Sequence, residues 1–183
     1  MGLRKASAYS KMKVRPYTRK SKLKGKNYIK TVPAQTITKF AMGSEKNYND
    51  GKYPFHMTLV SEENVQLRDG AVEACRQVIN KLLETFYPNQ YFFRVMVYPH
   101  HIQRENKMLT GAGADRMSTG MQLSFGKTMD RAALVKKGHG IFFMALENRK
   151  PEKDIREAVN SIRPKLPCTT RVVVEDLTPK KEA

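Results

Sequence analysis

Between Arg4 and Lys30 the chain carries eleven lysines and arginines, and its first acidic residue is Glu45. A stretch of like charge with no counter-charge nearby in sequence repels itself, so it cannot supply the core of a fold. The compact part must come from the residues beyond it. Residues 1–50 hold 13 basic and 2 acidic side chains, which accounts for +11 of a net charge of +17. Tyr9, Tyr17 and Tyr28 are interleaved with the cations, and Pro16 and Pro33 favour an extended course. That mixture suits a chain threading between nucleic-acid helices. Residues 1–33 are therefore expected to form a basic extended N-terminal arm that orders only against a surface dense in negative charge, with phosphate backbone the obvious candidate. Its candidate RNA-binding residues are Arg4, Lys5, Lys11, Lys13, Arg15, Tyr17, Arg19, Lys20, Lys22, Lys24 and Lys26.

The remainder of the 183 residues is long enough for one domain, expected over 34–176, with a frayed tail at 177–183. An apolar content of 40% is too high for a disordered chain. No apolar run reaches the roughly 18 residues of a membrane span, and the first thirty residues lack the apolar stretch of a secretory signal, so the chain is expected inside the cell. Residues 34–42 alternate with period two, and FHMTLV at 55–60 reads as a second strand. Ser61-Glu62-Glu63-Asn64 offers a helix N-cap, with Val72, Cys75, Val78 or Ile79, Leu82 and Phe86 after it at helical spacing up to Pro88. YFFRVMVY at 91–98 reads as a buried strand, MQLSF at 121–125, AALV at 132–135 and IFFMAL at 141–146 as three more. Pro151 opens a second helix that stops before Pro164, and CTTRVVVE at 168–175 is a last strand. Two helices among so many strands do not fit an alternating parallel fold, so the class is α+β with a mixed or antiparallel sheet.

Catalytic and cofactor motifs find little support. Thr110-Gly111-Ala112-Gly113-Ala114-Asp115 lacks the third glycine and the strand-to-helix context of a dinucleotide site, and no Lys-Ser or Lys-Thr pair closes a P-loop. No cofactor is expected. His100 and His101 are adjacent, without Cys or further His at a zinc-like spacing, so no metal site is expected. Cys75 and Cys168 sit in apolar patterns as small core residues. The composition points to a binder and not an enzyme. A small RNA-modifying enzyme and a regulatory RNA-binding protein remain as other classes.

The long polar segment, about 101–127, is the second candidate site. Arg104, Lys107, Arg116 and Lys127 bracket Gly111, Gly113 and Asp115. Cations there can neutralise phosphates while glycines permit close approach to sugar and base edges; a mobile surface loop is the other reading.

FFRVMVYPHHIQRENKMLTGAGADRMSTGM resembles the signature region of the large-subunit ribosomal protein family called L-sixteen in bacteria and L-ten-e in archaea and eukaryotes. Arg15-Pro16-Tyr17 and FHMTLVSEE extend the resemblance over nearly the whole chain, in its archaeal form. The resemblance implies an α/β hammerhead-type fold and a cytoplasmic place in the ribosome, among ribosomal RNA and neighbouring ribosomal proteins and without homo-oligomers. It also implies that the 101–127 loop faces the acceptor end of transfer RNA near the peptidyl transferase centre. At matching positions stand Arg104, Lys107, Gly111, Gly113, Asp115, Arg116 and Lys127, whereas Gln122 stands where many relatives carry arginine.

Overall fold

The computed structural model describes residues 5–12, 16–18, 20, 29, 31–105 and 126–177. Its backbone runs through β1 (Ala41–Gly43), α1 (Glu45–Asn49), β2 (Phe55–Ser61), β3 (Val65–Arg68), α2 (Asp69–Phe86), β4 (Tyr91–Val95), β5 (His101–Glu105), β6 (Lys127–Val135), β7 (Gly140–Leu146), α3 (Glu152–Ile162) and β8 (Thr170–Asp176). The class is α+β, as the element order implied. Two antiparallel sheets replace the single sheet expected, one ordered β1-β4-β7-β2-β8 and one ordered β3-β6-β5.

The five-stranded sheet obeys the alternation of its sequence. In β2 Phe55, Met57 and Leu59 are buried while His56, Thr58 and Val60 are half-buried. Met57 lies opposite Met144 of β7 and Val174 of β8, so neighbouring strands commit the same face inward. Against that face pack Val72, Cys75, Ile79 and Leu83 of α2 with Ile155, Val159 and Ile162 of α3, one contiguous core. Tyr87 at the end of α2 donates to Asp154 of α3, tying the two helices.

Several boundaries differ from the sequence expectation. Helix α2 starts at Asp69, eight residues after Ser61, because Val65 and Leu67 are buried in β3, which pairs with β6. Ser61 instead closes a tight turn by donating to Glu63 O at 2.8 Å. The 91–98 strand ends at Val95. A third, short helix, α1, forms in the polar SEKNYNDG segment because Ser44 caps it by accepting from the Asn47 N–H. The predicted strand over 34–42 shrinks to β1, since residues 36–42 are held by side chains of α2. Asp69 accepts from the Thr36 N–H at 3.1 Å, and Thr38 Oγ1 sits within 3.3 Å of Glu73 and 3.2 Å of Arg76.

Glu73 and Arg76 form a buried ion pair, Nη2 to Oε1 at 2.7 Å, that organises this latch. The hydrogen bond from Arg76 holds the Glu73 carboxyl below the usual value of 4.5. A carboxyl depressed in the folded state stabilises fully above its unfolded value and loses that contribution as pH falls through its folded one. Glu73→Gln is expected to cost about 2 kcal/mol at neutral pH, because it leaves the buried guanidinium short of its counter-charge. It should also flatten the fall in stability that the unsubstituted chain shows below pH 4.5. Urea denaturation at pH 7 and across the acid range measures both.

Candidate nucleic-acid interface

The small sheet has two edges, β3 and β5, and an unpaired strand edge presents rows of free N–H and C=O groups. The N-terminal arm supplies partners to both. At β3, Lys11 bridges Val65, and the Gln66 N–H donates to Ser10 O at 3.0 Å. At β5, the Ile102 N–H donates to Tyr17 O at 3.0 Å, and the Tyr17 N–H donates to His101 Nδ1 at 2.9 Å. Two buried glutamines join these edges beneath the arm: Gln103 Nε2 donates to Gln66 Oε1 at 3.2 Å, and Gln66 Nε2 donates to Lys11 O at 2.6 Å. A buried amide is costly unless bonded, so the glutamines and His101 are spent on holding the arm.

Further along, the arm is held by β6. Thr128 Oγ1 donates to Thr31 O at 2.8 Å, Arg131 Nε donates to Pro33 O at 2.8 Å, and Ile29 is buried. The described arm residues are thus docked on the protein's own sheet, and the expectation that the arm orders only against a polyanion does not hold for them. The cause is the pair of open edges, which backbone groups of any sequence can satisfy.

Docking through the backbone does not occupy the ammonium groups of Lys5 and Lys11. Lys5 and Lys11 are exposed, although the Lys5 carbonyl accepts from Arg68 Nη2 at 2.9 Å. The Arg104 guanidinium lies 3.8 Å from the centroid of the Tyr17 ring, a cation–π contact that brings one arm residue and one loop residue together. Lys20 lies near Arg131, and partial burial together with that like charge pushes its ammonium below the ordinary lysine value. Crowded cations of this kind favour a bound anion. Arg4, Lys13, Arg15, Arg19, Lys22, Lys24 and Lys26 lie outside the described residues.

The predicted loop over 101–127 has a different boundary. Its first five residues are β5 and its last is the start of β6, with Glu105 opposite Lys127 and Arg104 opposite Thr128. Arg104 and Lys127 therefore stand at the root of a hairpin, while Lys107, Gly111, Gly113, Asp115 and Arg116, with the strand expected over 121–125, lie outside the described residues. Strand β5 carries no apolar signal in sequence because His101, Gln103 and Glu105 are buried polar residues. Arg68, Gln66, Gln103 and Arg131 hold the N-terminal residues and were not singled out by the sequence; a run of polar residues at alternate positions was the available sign.

Elsewhere the titratable groups are structural. Burial pushes the Cys75 thiol up to about 12 and raises that of Cys168, so neither is an activated nucleophile. His100 Nδ1 lies 2.9 Å from Tyr98 O, away from His101, which is turned to the arm.

An α+β body that holds the described N-terminal residues largely by their backbone and leaves Lys5 and Lys11 exposed is the frame of a small basic scaffold protein. The chain belongs to the ribosomal protein L16p/L10e family, whose model matches residues 12–173. It is 40% identical over 171 residues to the large ribosomal subunit protein uL16 of Nanoarchaeum equitans, covering 92% of this chain and 91% of the relative. It is 40% identical over 178 residues to uL16 of Pyrobaculum calidifontis, covering 96% and 95%. It is 39% identical over 177 residues to uL16 of Methanococcus maripaludis, covering 95% of each. The family is one of structural ribosomal proteins and not of enzymes.

Removing both glutamines that join the sheet edges, Gln66→Ala with Gln103→Ala, is expected to release the arm while the core stays folded. Tryptic cleavage after Lys11 should speed up about tenfold and the Ile102 amide should lose exchange protection, with little change in the melting of α2.

Proposed function

We propose that the chain is a constituent of the large ribosomal subunit in the cytoplasm, present in one copy, which binds ribosomal RNA through its arm and small sheet. The match to the family over residues 12–173 carries this reading, and the outward Lys5 and Lys11 supply its chemistry. Three parts share the work: an arm over 1–33, a body over 34–176 and a tail over 177–183. The arm's backbone is satisfied by the body and its cations by phosphate, so the same residues join RNA to protein. Neutralising phosphates releases counterions and supplies most of the affinity.

The hairpin rooted at Arg104 and Lys127 is the transfer-RNA-facing element in this reading. The β5–β6 ladder fixes Arg104 and Lys127, and in this reading the residues between them, with Lys107, Gly111, Gly113, Asp115 and Arg116, serve the acceptor end. The role is positional, organising the corridor that transfer RNA occupies. Gln122 replaces a charged contact with a hydrogen-bonding one at its position.

Co-sedimentation with purified large subunits through a salt series tests the assignment. One copy per subunit, released only at high salt, is expected, with a log-log salt slope of about −7 for roughly 8 phosphate contacts. Substoichiometric association lost at moderate salt would overturn it. Deleting residues 106–116 is expected to leave incorporation intact and to weaken transfer-RNA binding to the subunit, measured by filter retention. Loss of incorporation would assign the loop to anchoring instead.

A further inference from the structure

The five-stranded sheet buries one face under α2 and α3, and among the described residues α1 covers one corner of its opposite face. Along β4 the residues of that second face are Phe92 and Arg94, and Met96 just past the strand end lies with Thr58 against Gly140; Arg94 and Met96 are exposed, Met96 at 46%. Register places Phe143 of β7 beside Arg94, with Thr58 of β2 and Val173 of β8 continuing the row. Tyr48 of α1 stacks on Phe92 with centroids 4.7 Å apart and planes 15° apart, and meets the edge of Phe143 at 5.7 Å. His56 meets Phe143 at 5.1 Å and Tyr48 at 5.9 Å, so the three rings cluster. Between Tyr48, Phe143, Arg94 and Met96 lies a cleft of about 360 Å³.

A cleft walled by the half-buried rings of Tyr48 and Phe143 and the exposed Met96 thioether is apolar surface open to a contact. Its occupant must match two chemistries at once, ring faces and an exposed guanidinium. The Arg94 side chain makes no hydrogen bond or ion pair among the described residues, and the one acid of the same face, Glu175, stands at the far edge on β8, opposite His56. An apolar protein side chain would fill the cleft and strip water from an uncompensated cation. An unpaired nucleotide brings a flat base for the rings and a phosphate for the arginine, as on other sheet surfaces that bind single-stranded RNA. We infer that the cleft between Tyr48, Phe143 and Arg94 receives an unpaired base of ribosomal RNA, stacked on the rings with its phosphate on Arg94. This makes a second RNA surface, on the other sheet from the arm, and it rests on the ribosomal reading.

The experiment uses purified large subunits containing the full chain, irradiated with ultraviolet light, digested with nuclease and protease, and read by mass spectrometry. A nucleotide adduct on Tyr48 or Phe143 is expected. In parallel, full-length Phe143→Leu and Arg94→Gln compete with the unsubstituted chain for subunits stripped of it. Phe143→Leu is expected to bind about tenfold more weakly, the loss of one base stack, and Arg94→Gln several-fold more weakly. Arg94 is exposed, so its variant keeps the test valid even where Phe143→Leu unfolds. Both variants binding as the unsubstituted chain does, or a chemical cross-link seating a neighbouring ribosomal protein on Phe143, overturns the cleft assignment and leaves the ribosomal reading standing. A full chain that binds no subunits at all overturns both.

Discussion

The pairing of β2 with β7, in which Met57 faces Met144 and Thr58 faces Phe143, decides what each surface of the molecule becomes. Side chains alternate across a strand, so this register sends Phe55, Met57 and Leu59 to the helices and leaves His56, Thr58 and Val60 on the other side. A slip of one residue would exchange the two sets, burying a histidine and a threonine and exposing the core. The bulge between Leu59 and Val60 ends the strict register just before the strand leaves the sheet. From there Ser61 turns the chain toward β3, and everything held by the small sheet takes its position from that exit.

The small sheet solves a different problem. Val65, Leu67, Ala133 and Val135 tie β3 and β6 to the main core, but three strands with two open edges leave backbone groups unpaired. The arm completes it at both edges and draws Gln66 and Gln103 into a bonded pair, so hydrogen bonding adds to the apolar burial of β3 and β6. The division of labour within the arm comes from peptide chemistry: every residue has a backbone donor or acceptor to give inward, and only the lysines and arginines have a charge to give outward. Anchoring by the carbonyls of Lys5 and Lys11 therefore leaves their ammonium groups unoccupied.

Legibility in the sequence tracked this difference. The five-stranded sheet, α2 and α3 carry periodic apolar residues, and Val72, Ile79, Ile155 and Ile162 were recognisable as inward positions because burial there is apolar. Strands β3 and β5 were not, since Gln66, His101, Gln103 and Glu105 are buried polar residues, and the contacts of two of them reach far away in sequence, 55 positions for Gln66 with Lys11 and 84 for His101 with Tyr17. No local pattern records such a contact. Ser61 misled for the related reason that a serine before two acids caps a turn as readily as a helix. The cations of the interface were visible as composition, but their grouping was not: Arg104 meets Tyr17 and Lys20 meets Arg131 only through the fold.

The 84-residue separation between Tyr17 and His101 also sets a clock during synthesis. At about 5 to 20 residues per second, the strand edge that receives Tyr17 is made roughly 4 to 17 s after Tyr17 itself. Throughout that interval the arm is a nascent polycation without its protein partner, while nucleic acid is abundant around the translating ribosome. Its backbone must wait for β5, whereas its charges can engage any phosphate at once. The order in which the two halves of its chemistry become available is thus the reverse of the order that correct docking requires, and the newborn chain is most open to wrong attachments before its small sheet exists.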